Sequence, residues 1–285
     1  MKFHSAKELA DKAHEEGYAV PALNTGGGTY DITRAAIEAA EELRSPLILQ
    51  SYEPNLAYRG FEHLVLQAAH LAKDASIPIA LHLDHGMSLD SVMRAVEAGY
   101  TSVMIDSSHL SLEENIRSTR EVIEAVRPLG VSVEAEVGHV AGGAHSTEHD
   151  AASTTDPEEA VRLVEETGVD MLAVATGTQH GIFVLQDEID LDLVRELRRR
   201  IPVPLVQHGT CGIPLDLISE LVNAGMAKIN FGEPFRANYI TYFKEYANTL
   251  DHGGHPWKIM MAVKNHLKED MKEIIRALGS EGKAG

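Results

Sequence analysis

Residues 78–106, PIALHLDHGMSLDSVMRAVEAGYTSVMID, decide the fold of this chain. Two short apolar runs, Pro78–Leu83 and Ser102–Ile105, flank a helical pattern that stops at Gly99. Runs that are apolar along their whole length are typical of parallel strands buried on both faces. Glycine directly before a strand is a common helix stop. The stretch therefore predicts one strand-helix-strand unit.

The same unit recurs along the whole chain, with strand ends about every 30 residues. Helical patterns such as Ile32–Leu43, Leu112–Val126 and Pro157–Thr167 separate the strands. This alternation predicts an α/β protein with a (β/α)₈ TIM barrel. A Rossmann-like sheet is the alternative, but the glycines at 26–28 lack the GxGxxG spacing. The predicted strands are Tyr18–Leu23, Pro46–Gln50, Pro78–Leu83, Ser102–Ile105, Ser132–Val137, Met171–Thr176, Pro204–Gln207 and Ala227–Phe231.

The length of 285 residues is ordinary for one such barrel, so we expect a single domain over residues 1–285. Two helical patterns after the last strand, Glu233–Leu250 and Trp257–Leu278, exceed what the barrel needs. We expect a C-terminal helical extension over about residues 250–285 that covers a subunit interface, in a homodimer or homotetramer. The long polar stretch Gly138–Thr155 predicts a functional loop.

Composition excludes several classes of function. The 25 Lys and Arg against 43 Asp and Glu give a net charge of −18, which repels nucleic acid and anionic lipid. One cysteine excludes an internal disulfide and a cysteine-cluster metal site. No apolar run is long enough for a membrane span, and the N-terminus lacks a signal-peptide pattern. We expect a cytoplasmic protein that binds a small molecule and neither nucleic acid nor membrane. Its 15 histidines need a separate explanation.

Polar residues stand where the predicted strands end, and in a TIM barrel these positions form the active site. Any one of them is explained by the start of a polar loop, but several histidines and carboxylates together are not. These residues are Asn24, Gln50, Ser51, His82, Asp84, His85, Asp106, Glu136, His180, His208 and Asn230.

Three histidines from different strand ends, His85, His180 and His208, predict a catalytic metal site. Three neutral imidazoles with one open position are typical of catalytic zinc. Glu136 is a candidate for a fourth or alternate ligand. Asp106 is a candidate for a supporting residue or a ligand of a second metal or a monovalent cation. The alternative for both carboxylates is a hydrogen bond to a nearby loop amide.

Asp84 directly precedes His85 and is expected to point differently, because neighbouring residues of a strand alternate. It would then lie beside the metal without binding it. A carboxylate in that place is suited to acid/base catalysis on a substrate hydroxyl. The alternative role is to orient an imidazole ring.

The last two strands are followed by loops typical of the barrel phosphate site. Residues 208–212 read HGTCG and suit this role, through Gly209, Thr210 and Cys211. Residues 230–233 read NFGE and suit it poorly, because Glu233 places a negative charge where a phosphate would bind.

These motifs resemble the class II, zinc-dependent ketose-bisphosphate aldolases, in the fructose- and tagatose-bisphosphate aldolase group, from Lys2 to about Leu278. The resemblance implies zinc on His85, His180 and His208, with Glu136 as an alternate ligand. It implies Asp84 as the acid/base at the C4 hydroxyl of a ketose. The motifs are VPALN at 20–24, LHLDHG at 81–86, SVMID at 102–106 with Ser108 and His109, VEAEVG at 133–138, LAVATGTQHG at 172–181 and KIN at 228–230.

The resemblance also implies how the donor half of the substrate, usually dihydroxyacetone phosphate, is held. Gly181, Gly209 and Asn230 would bind it, with Asn24 also at the mouth of the barrel. Zinc would stabilise the enediolate as a Lewis acid, and a second acid/base would protonate the enediolate carbon.

The chain departs from the family pattern in its phosphate loops. The family's HGGSG is HGTCG here, so the serine hydroxyl is lost and Thr210 is the candidate to replace it. Cys211 is either a metal or redox group or a small buried residue. The family's last loop ends in threonine where this chain has Glu233. Two like charges about 4 Å apart cost about 1–4 kcal/mol, enough to weaken phosphate binding tenfold to a thousandfold.

The predicted loop departs too. In the family, Gly-Gly is followed by a glutamate that handles the proton of the donor carbon. Here Gly142 and Gly143 lead to His145 and, three residues later, Glu148. Both are candidates for the second acid/base, since histidine has a suitable pKa. The alternative is a solvated loop in which they have no role.

Four functions follow from these features. The first is a zinc-dependent aldolase that cleaves a ketose phosphate or bisphosphate. The second is an aldolase of the same mechanism with an unphosphorylated or differently charged donor, motivated by Glu233 and Cys211. The third is a non-catalytic zinc-binding homologue, although Asp84 and the histidines are intact. The fourth is an amidohydrolase-type metal hydrolase, which the asparagines at 24 and 230 disfavour.

Overall fold

A computed structural model gives the fold of the chain. It describes residues 3–138, 140, 153–181, 189–250 and 254–285. Within these residues, eight parallel strands close into a barrel in sequence order. The strands are β1 (Val20–Asn24), β2 (Leu47–Tyr52), β3 (Ile79–Gly86), β4 (Ser102–Ile105), β5 (Ser132–Val137), β6 (Met171–Val174), β7 (Leu205–Gln207) and β8 (Met226–Phe231).

Helices precede β1, lie between successive strands and follow β8, which completes a (β/α)₈ TIM barrel with additional C-terminal helices. The prediction of this fold is confirmed. Along the described part of the chain the helices are α1 (Ala6–Glu16), α2 (Tyr30–Glu42), α3 (Glu53–Leu56), α4 (Glu62–Leu71), α5 (Leu89–Ala98), α6 (Leu112–Val126), α7 (Pro157–Thr167), α8 (Leu191–Arg200), α9 (Leu215–Ala224), α10 (Glu233–Ala247) and α11 (Pro256–Ala277), with a 3₁₀ turn at Arg127–Leu129.

The first helix closes the amino end of the barrel. Ser5 caps α1 by accepting a hydrogen bond from the backbone N–H of Glu8, and Gly17 ends it in the left-handed conformation. Its alanine-rich face packs in one cluster with inward-facing residues near the strand starts, such as Val20 and Met171. Because α1 covers the amino ends of the strands, the open mouth of the barrel lies at their carboxyl ends.

The C-terminal helices pack on the outside of the barrel. The lysine side chains of α11 reach across to α2, where Lys264 pairs with Glu38 and Lys268 with Glu42. Helix α10 begins at Glu233, directly after β8, and so carries its first turn to the mouth of the barrel. No helix among the described residues is both long enough and apolar enough to cross a membrane.

Strand β3 has an irregularity that matters for the site. Leu83 pairs with Val103 and Gly86 pairs with Ile105, so three steps along β3 match two steps along β4. This extra residue is a β-bulge. His85 lies in it with φ of 49°, a left-handed conformation that is uncommon outside glycine.

Two strands run two or three residues further at their carboxyl ends than the apolar pattern indicates, and β1 runs one residue further, to Asn24. Strand β2 continues to Tyr52 and β3 to Gly86, with Tyr52 paired to Asp84. The ladder hydrogen bonds are made by the backbone, so pairing continues into polar residues that a search for apolar runs leaves out.

Candidate metal centre and active site

A cavity of about 600 Å³ opens at the carboxyl ends of the strands, where the sequence places its polar residues. It combines backbone from glycine loops with side chains from the strand ends and from α10. Its lining includes Asn24, Gly26, Thr29, Gln50, Tyr52, Asn55, Arg59, Asp84, His85, His180, Gly181, Gly209, Asn230, Glu233, Arg236 and Tyr239.

Three imidazole rings meet at the base of this cavity. The ring centroid of His85 lies 4.8 Å from that of His208 and 5.2 Å from that of His180. One nitrogen from each ring falls within 4.8 Å of the others, close enough for all three to bind one metal ion. The structure thus brings together the three histidines that the sequence predicts as zinc ligands.

Neighbouring carboxylates fix which nitrogen of two rings carries a proton. Nδ1 of His85 lies 2.7 Å from Asp106 Oδ2, and Nε2 of His208 lies 2.9 Å from Glu134 Oε1. Burial acts to raise the pKa of both carboxyl groups. The His85 ring nevertheless lowers the pKa of Asp106 below its ordinary value, and Lys228 and His208 do the same for Glu134. Ionised carboxylates only accept, so His85 Nδ1 donates to Asp106 and His208 Nε2 donates to Glu134. The Asn230 amide nitrogen also lies 3.0 Å from His208 Nε2, and we assign the proton by the shorter contact with the charged Glu134.

The opposite nitrogens of these rings therefore present lone pairs towards each other, with His85 Nε2 only 3.0 Å from His208 Nδ1. Such an arrangement needs a cation between the two atoms. Without a metal, a proton on His85 takes the place of this cation. Burial acts to lower the pKa of His85, but Asp84 and Asp106 outweigh that effect and raise the pKa to about 10.

His180 supplies the third nitrogen. Its Nε2 is buried and has no hydrogen-bond partner among the described residues. Burial, with the nearby His85 and His208, lowers the pKa of His180 to about 3, so the ring is neutral at physiological pH. A neutral imidazole with one buried nitrogen that lacks a partner is suited to bind a metal, and the donor set fits zinc.

A second group of possible ligands shares His85 with Asp106 and Glu136. Oε2 of Glu136 is buried without a hydrogen-bond partner among the described residues. Burial and the charge of Asp106 raise the pKa of Glu136 to about 8. Glu136 and Asp106 thus lie close enough to His85 to belong to the candidate metal site, with Asp106 already engaged by the His85 ring.

Asp84 lies beside the imidazoles, with Oδ1 3.9 Å from His85 Nε2. Strand alternation predicts that the two side chains point differently, with Asp84 beside the metal, but both line the same cavity. The bulge in β3 is the reason, since its extra residue breaks the alternation at this point.

Three side-chain amides donate to the Asp84 carboxylate. Asn230 Nδ2 lies 3.2 Å from Oδ1, while Gln50 Nε2 and Asn24 Nδ2 lie 3.1 and 3.4 Å from Oδ2. Burial acts to raise the pKa of Asp84, but the neighbouring His85 and His208 lower it below its ordinary value. A carboxylate held ionised next to the imidazoles is equipped to accept a proton from a substrate hydroxyl.

The two loops predicted to hold the donor contribute unequally. Gly181, Gly209, Asn230 and Glu233 line the cavity. A Cβ at Gly209 would come within 3.0 Å of the Gln179 backbone, so only glycine fits there.

Thr210 and Cys211 are buried beneath the cavity and do not appear among its lining residues. The Thr210 hydroxyl donates to the backbone carbonyl of Asn230, so it braces the β8 end rather than presenting a donor to a ligand. Burial, reinforced by Glu233, raises the pKa of Cys211 to about 11, which leaves a neutral thiol at physiological pH.

Two predicted residues, His145 and Glu148, lie outside the described residues. Conversely, the structure places in or beneath the site several residues that were not predicted as site residues from the sequence. Glu134 and Lys228 form a buried ion pair under the site, Gln50 holds Asp84, and Tyr52 packs edge-on against His85 at 6.1 Å between ring centroids. A charged residue inside an otherwise apolar strand is the sequence feature that marks Glu134 and Lys228.

The whole chain is similar to known proteins. Residues 4–283 match a family model described as fructose-bisphosphate aldolase class-II. A fructose-bisphosphate aldolase from Thermus caldophilus is 36% identical over 302 aligned residues, which cover 97% of this chain and 98% of that protein. Among solved structures, the YdjI aldolase from Escherichia coli K12 is 31% identical with a TM-score of 0.87, over 100% of both chains.

Proposed function

Since this chain belongs to the class II fructose-bisphosphate aldolase family and is a lyase, we propose that it is a zinc-dependent aldolase of ketose phosphates. It would cleave a ketose phosphate or bisphosphate reversibly to dihydroxyacetone phosphate and an aldehyde. The observation that carries the proposal is the set of three converging imidazole nitrogens with the Asp84 carboxylate beside them.

His85, His180 and His208 would hold the zinc, with Glu136 as an alternate ligand and Asp106 orienting His85. When bound, zinc supplies a Lewis acid that stabilises the negative charge of the enediolate. The carboxylates behind His85 and His208 orient the rings and raise their basicity as ligands.

Asp84 would act as the acid/base of the cleavage step. It takes the proton of the C4 hydroxyl, the C3–C4 bond breaks, and the aldehyde departs. The three amides around Asp84 would hold it in place, and the neighbouring His85 and His208 keep its pKa low. In the reverse direction the protonated Asp84 returns the proton to the aldehyde oxygen.

The donor half of the substrate would lie against Asn24, Gly181, Gly209 and Asn230, which line the same cavity. Its enediolate carbon must then be protonated by a second acid/base. His145 and Glu148, outside the described residues, remain our candidates for this step.

A second candidate function keeps the mechanism but changes the donor. Glu233 lines the cavity at the first turn of α10, where a helix N-terminus would otherwise favour a phosphate. A carboxylate there would accept a hydrogen bond from a hydroxyl group of an unphosphorylated donor such as dihydroxyacetone. Arg236 also lines the cavity and offers a positive charge to a phosphate, so we place the phosphorylated donor first.

Cleavage tests the proposal directly. The protein is stripped of metal, reloaded with zinc, and given fructose 1,6-bisphosphate and tagatose 1,6-bisphosphate in turn. Triose phosphate release is followed by coupled oxidation of NADH. We expect release that chelation abolishes and zinc restores. Release that is indifferent to chelation would contradict the zinc dependence. Cytoplasmic location and a homodimeric or homotetrameric state remain predictions of the sequence.

A further inference from the structure

Lys228 is a cation buried completely inside the barrel. It lies in β8, its side chain is inaccessible to solvent, and the same is true of Glu134 in β5. A buried ion pair contributes little to stability compared with apolar residues of similar size, because both charges lose their hydration. Stability therefore does not explain the Lys228–Glu134 pair, which also contacts residues of the candidate metal site.

The ammonium group of Lys228 makes two close contacts. Its Nζ lies 2.9 Å from Glu134 Oε2 and 2.7 Å from Asn230 Oδ1. The other oxygen of Glu134 accepts from His208 Nε2 at 2.9 Å. Lys228 thus contacts Asn230, which lines the cavity, directly. It reaches His208, a proposed zinc ligand, through the Glu134 carboxylate.

The contact with Asn230 determines which way its amide points. An ammonium group only donates, so the Asn230 atom facing Lys228 must be the carbonyl oxygen. The amide nitrogen is then turned to Asp84, 3.2 Å from Oδ1, and lies 3.0 Å from His208 Nε2 on the same side. Rotating the amide by half a turn would set its NH₂ against Lys228 and its oxygen against the carboxylate.

The contact with Glu134 acts on the metal site. Lys228 is the counter-charge of Glu134, whose ionised form accepts the Nε2 proton of His208. This leaves His208 Nδ1 unprotonated and facing His85. Without such an acceptor, the proton is free to move to Nδ1 and block the ligand position.

We propose that Lys228 is a positioning residue of the aldol reaction. Through the Asn230 carbonyl it aims the amide nitrogen at Asp84 and the donor, and through Glu134 it keeps His208 in the form that binds metal. This inference rests on the proposed function for its rate readout, whereas its metal readout stands independently.

Two neutral double variants separate positioning from a structural role. K228M alone would leave the Glu134 charge buried without a partner and destabilise the fold, so both partners are changed together. E134Q/K228M keeps an acceptor for His208 but removes the donor to Asn230. E134L/K228M removes both. K264M, which breaks the Lys264–Glu38 pair between α11 and α2, is the control for the loss of an ion pair remote from the site.

Zinc affinity is measured by competition with a chelating dye. The rate is measured at saturating zinc in two assays, exchange of the hydroxymethyl proton of dihydroxyacetone phosphate, which depends on how the donor is held, and cleavage of fructose 1,6-bisphosphate, which also depends on Asp84. We expect E134Q/K228M to bind zinc within about tenfold of wild type, and E134L/K228M about 10–100-fold more weakly than E134Q/K228M. Both should lose at least about 30-fold in exchange or cleavage rate, roughly the lower range for a displaced catalytic contact. K264M should match wild type in all of these measurements, whatever its melting temperature.

Exchange and cleavage rates of E134Q/K228M that both stay within threefold of wild type would overturn the role of Lys228 towards Asn230. Equal zinc affinity of the two double variants would show that residue 134 does not control His208, which would overturn the role of Lys228 as the counter-charge of Glu134. Absence of exchange in wild type would instead count against the proposed donor, and the zinc titrations would still decide the His208 part.

Discussion

Asp84 shows how its neighbours decide what one side chain does. A carboxylate buried in a barrel would ordinarily be protonated, since burial penalises the charged form. Here three amides and two imidazoles surround it, and its pKa is lowered instead. The group is consequently a base in its resting state, as abstraction of a hydroxyl proton requires.

The variant Asp84→Asn keeps the size of the side chain and removes the base. We expect the rate of ketose bisphosphate cleavage to fall about 10²–10⁴-fold, the usual contribution of general acid/base catalysis. Zinc content, measured by metal analysis, should not change, because Asp84 lies outside the set of three histidine ligands. A cleavage rate within tenfold of wild type would show that another group is the base.

If the site binds zinc as proposed, His85 makes that binding depend on pH. In the metal-free protein its pKa is raised to about 10, so the ring carries an extra proton at pH 7 that zinc must displace. His180, with its pKa lowered to about 3, has none to lose. Zinc affinity should rise at least tenfold per pH unit between pH 7 and 8, with release of one proton from His85 and of a second from Glu136, whose pKa is raised to about 8, if that residue binds the metal. Calorimetry in buffers of different ionisation enthalpy measures this proton release, and an affinity independent of pH would contradict the argument.

At the scale of elements, the bulge in β3 places two consecutive functional side chains in one cavity. It depends on Gly86, where a Cβ would lie 2.5 Å from the carbonyl oxygen of Met104 in β4. No side chain fits without moving one of the two strands.

Gly86→Ala should therefore push β3 from β4 and shift the neighbouring His85. We expect a loss of about 1–3 kcal/mol in the free energy of unfolding and weaker zinc binding. Gly130→Ala is the control. Gly130 has φ of 76° with nothing within 4 Å of the added Cβ, so it should lose stability by about 1–2 kcal/mol while zinc affinity stays unchanged. Wild-type zinc affinity in Gly86→Ala would show that the bulge does not position His85.

Glu233, in the first turn of α10, is the residue that tests the charge of the proposed donor. If the donor is phosphorylated, Glu233→Thr removes a repulsion worth about 1–4 kcal/mol, and the KM for the phosphorylated substrate should fall tenfold or more. Glu233→Gln separates the charge from the hydroxyl that threonine adds. Steady-state kinetics decide the matter. Loss of activity with dihydroxyacetone, and no gain with its phosphate, would favour the unphosphorylated donor.

At the scale of the whole molecule, the barrel follows from the sequence because its parallel strands are buried on both faces and read as apolar runs. The register between strands does not follow. The bulge beside His85 arises from how β3 pairs with β4, and no local pattern distinguishes Leu83 and Gly86 as its limits. The polar ends of β2 and β3 are missed for a related reason, since backbone pairing ignores side-chain polarity.

The site divides in the same way. His85, His180 and His208 could be predicted because a barrel brings its strand ends to one mouth, whatever the sequence separation. Glu134 and Lys228 meet across 94 residues inside the barrel, which requires knowledge of the register as well as the topology. Thr210 has the right place in sequence for a phosphate loop, yet its hydroxyl is already engaged by the Asn230 carbonyl.

Proton exchange on the donor alone tests the central claim most directly, because it needs no knowledge of the aldehyde. The zinc-loaded protein is incubated in heavy water with dihydroxyacetone phosphate and, separately, with dihydroxyacetone, while NMR follows the hydroxymethyl proton. A chelated sample is the control. We predict exchange with dihydroxyacetone phosphate that requires zinc. Exchange only with the free triose would contradict the phosphorylated donor, and no exchange with either would contradict the proposed reaction.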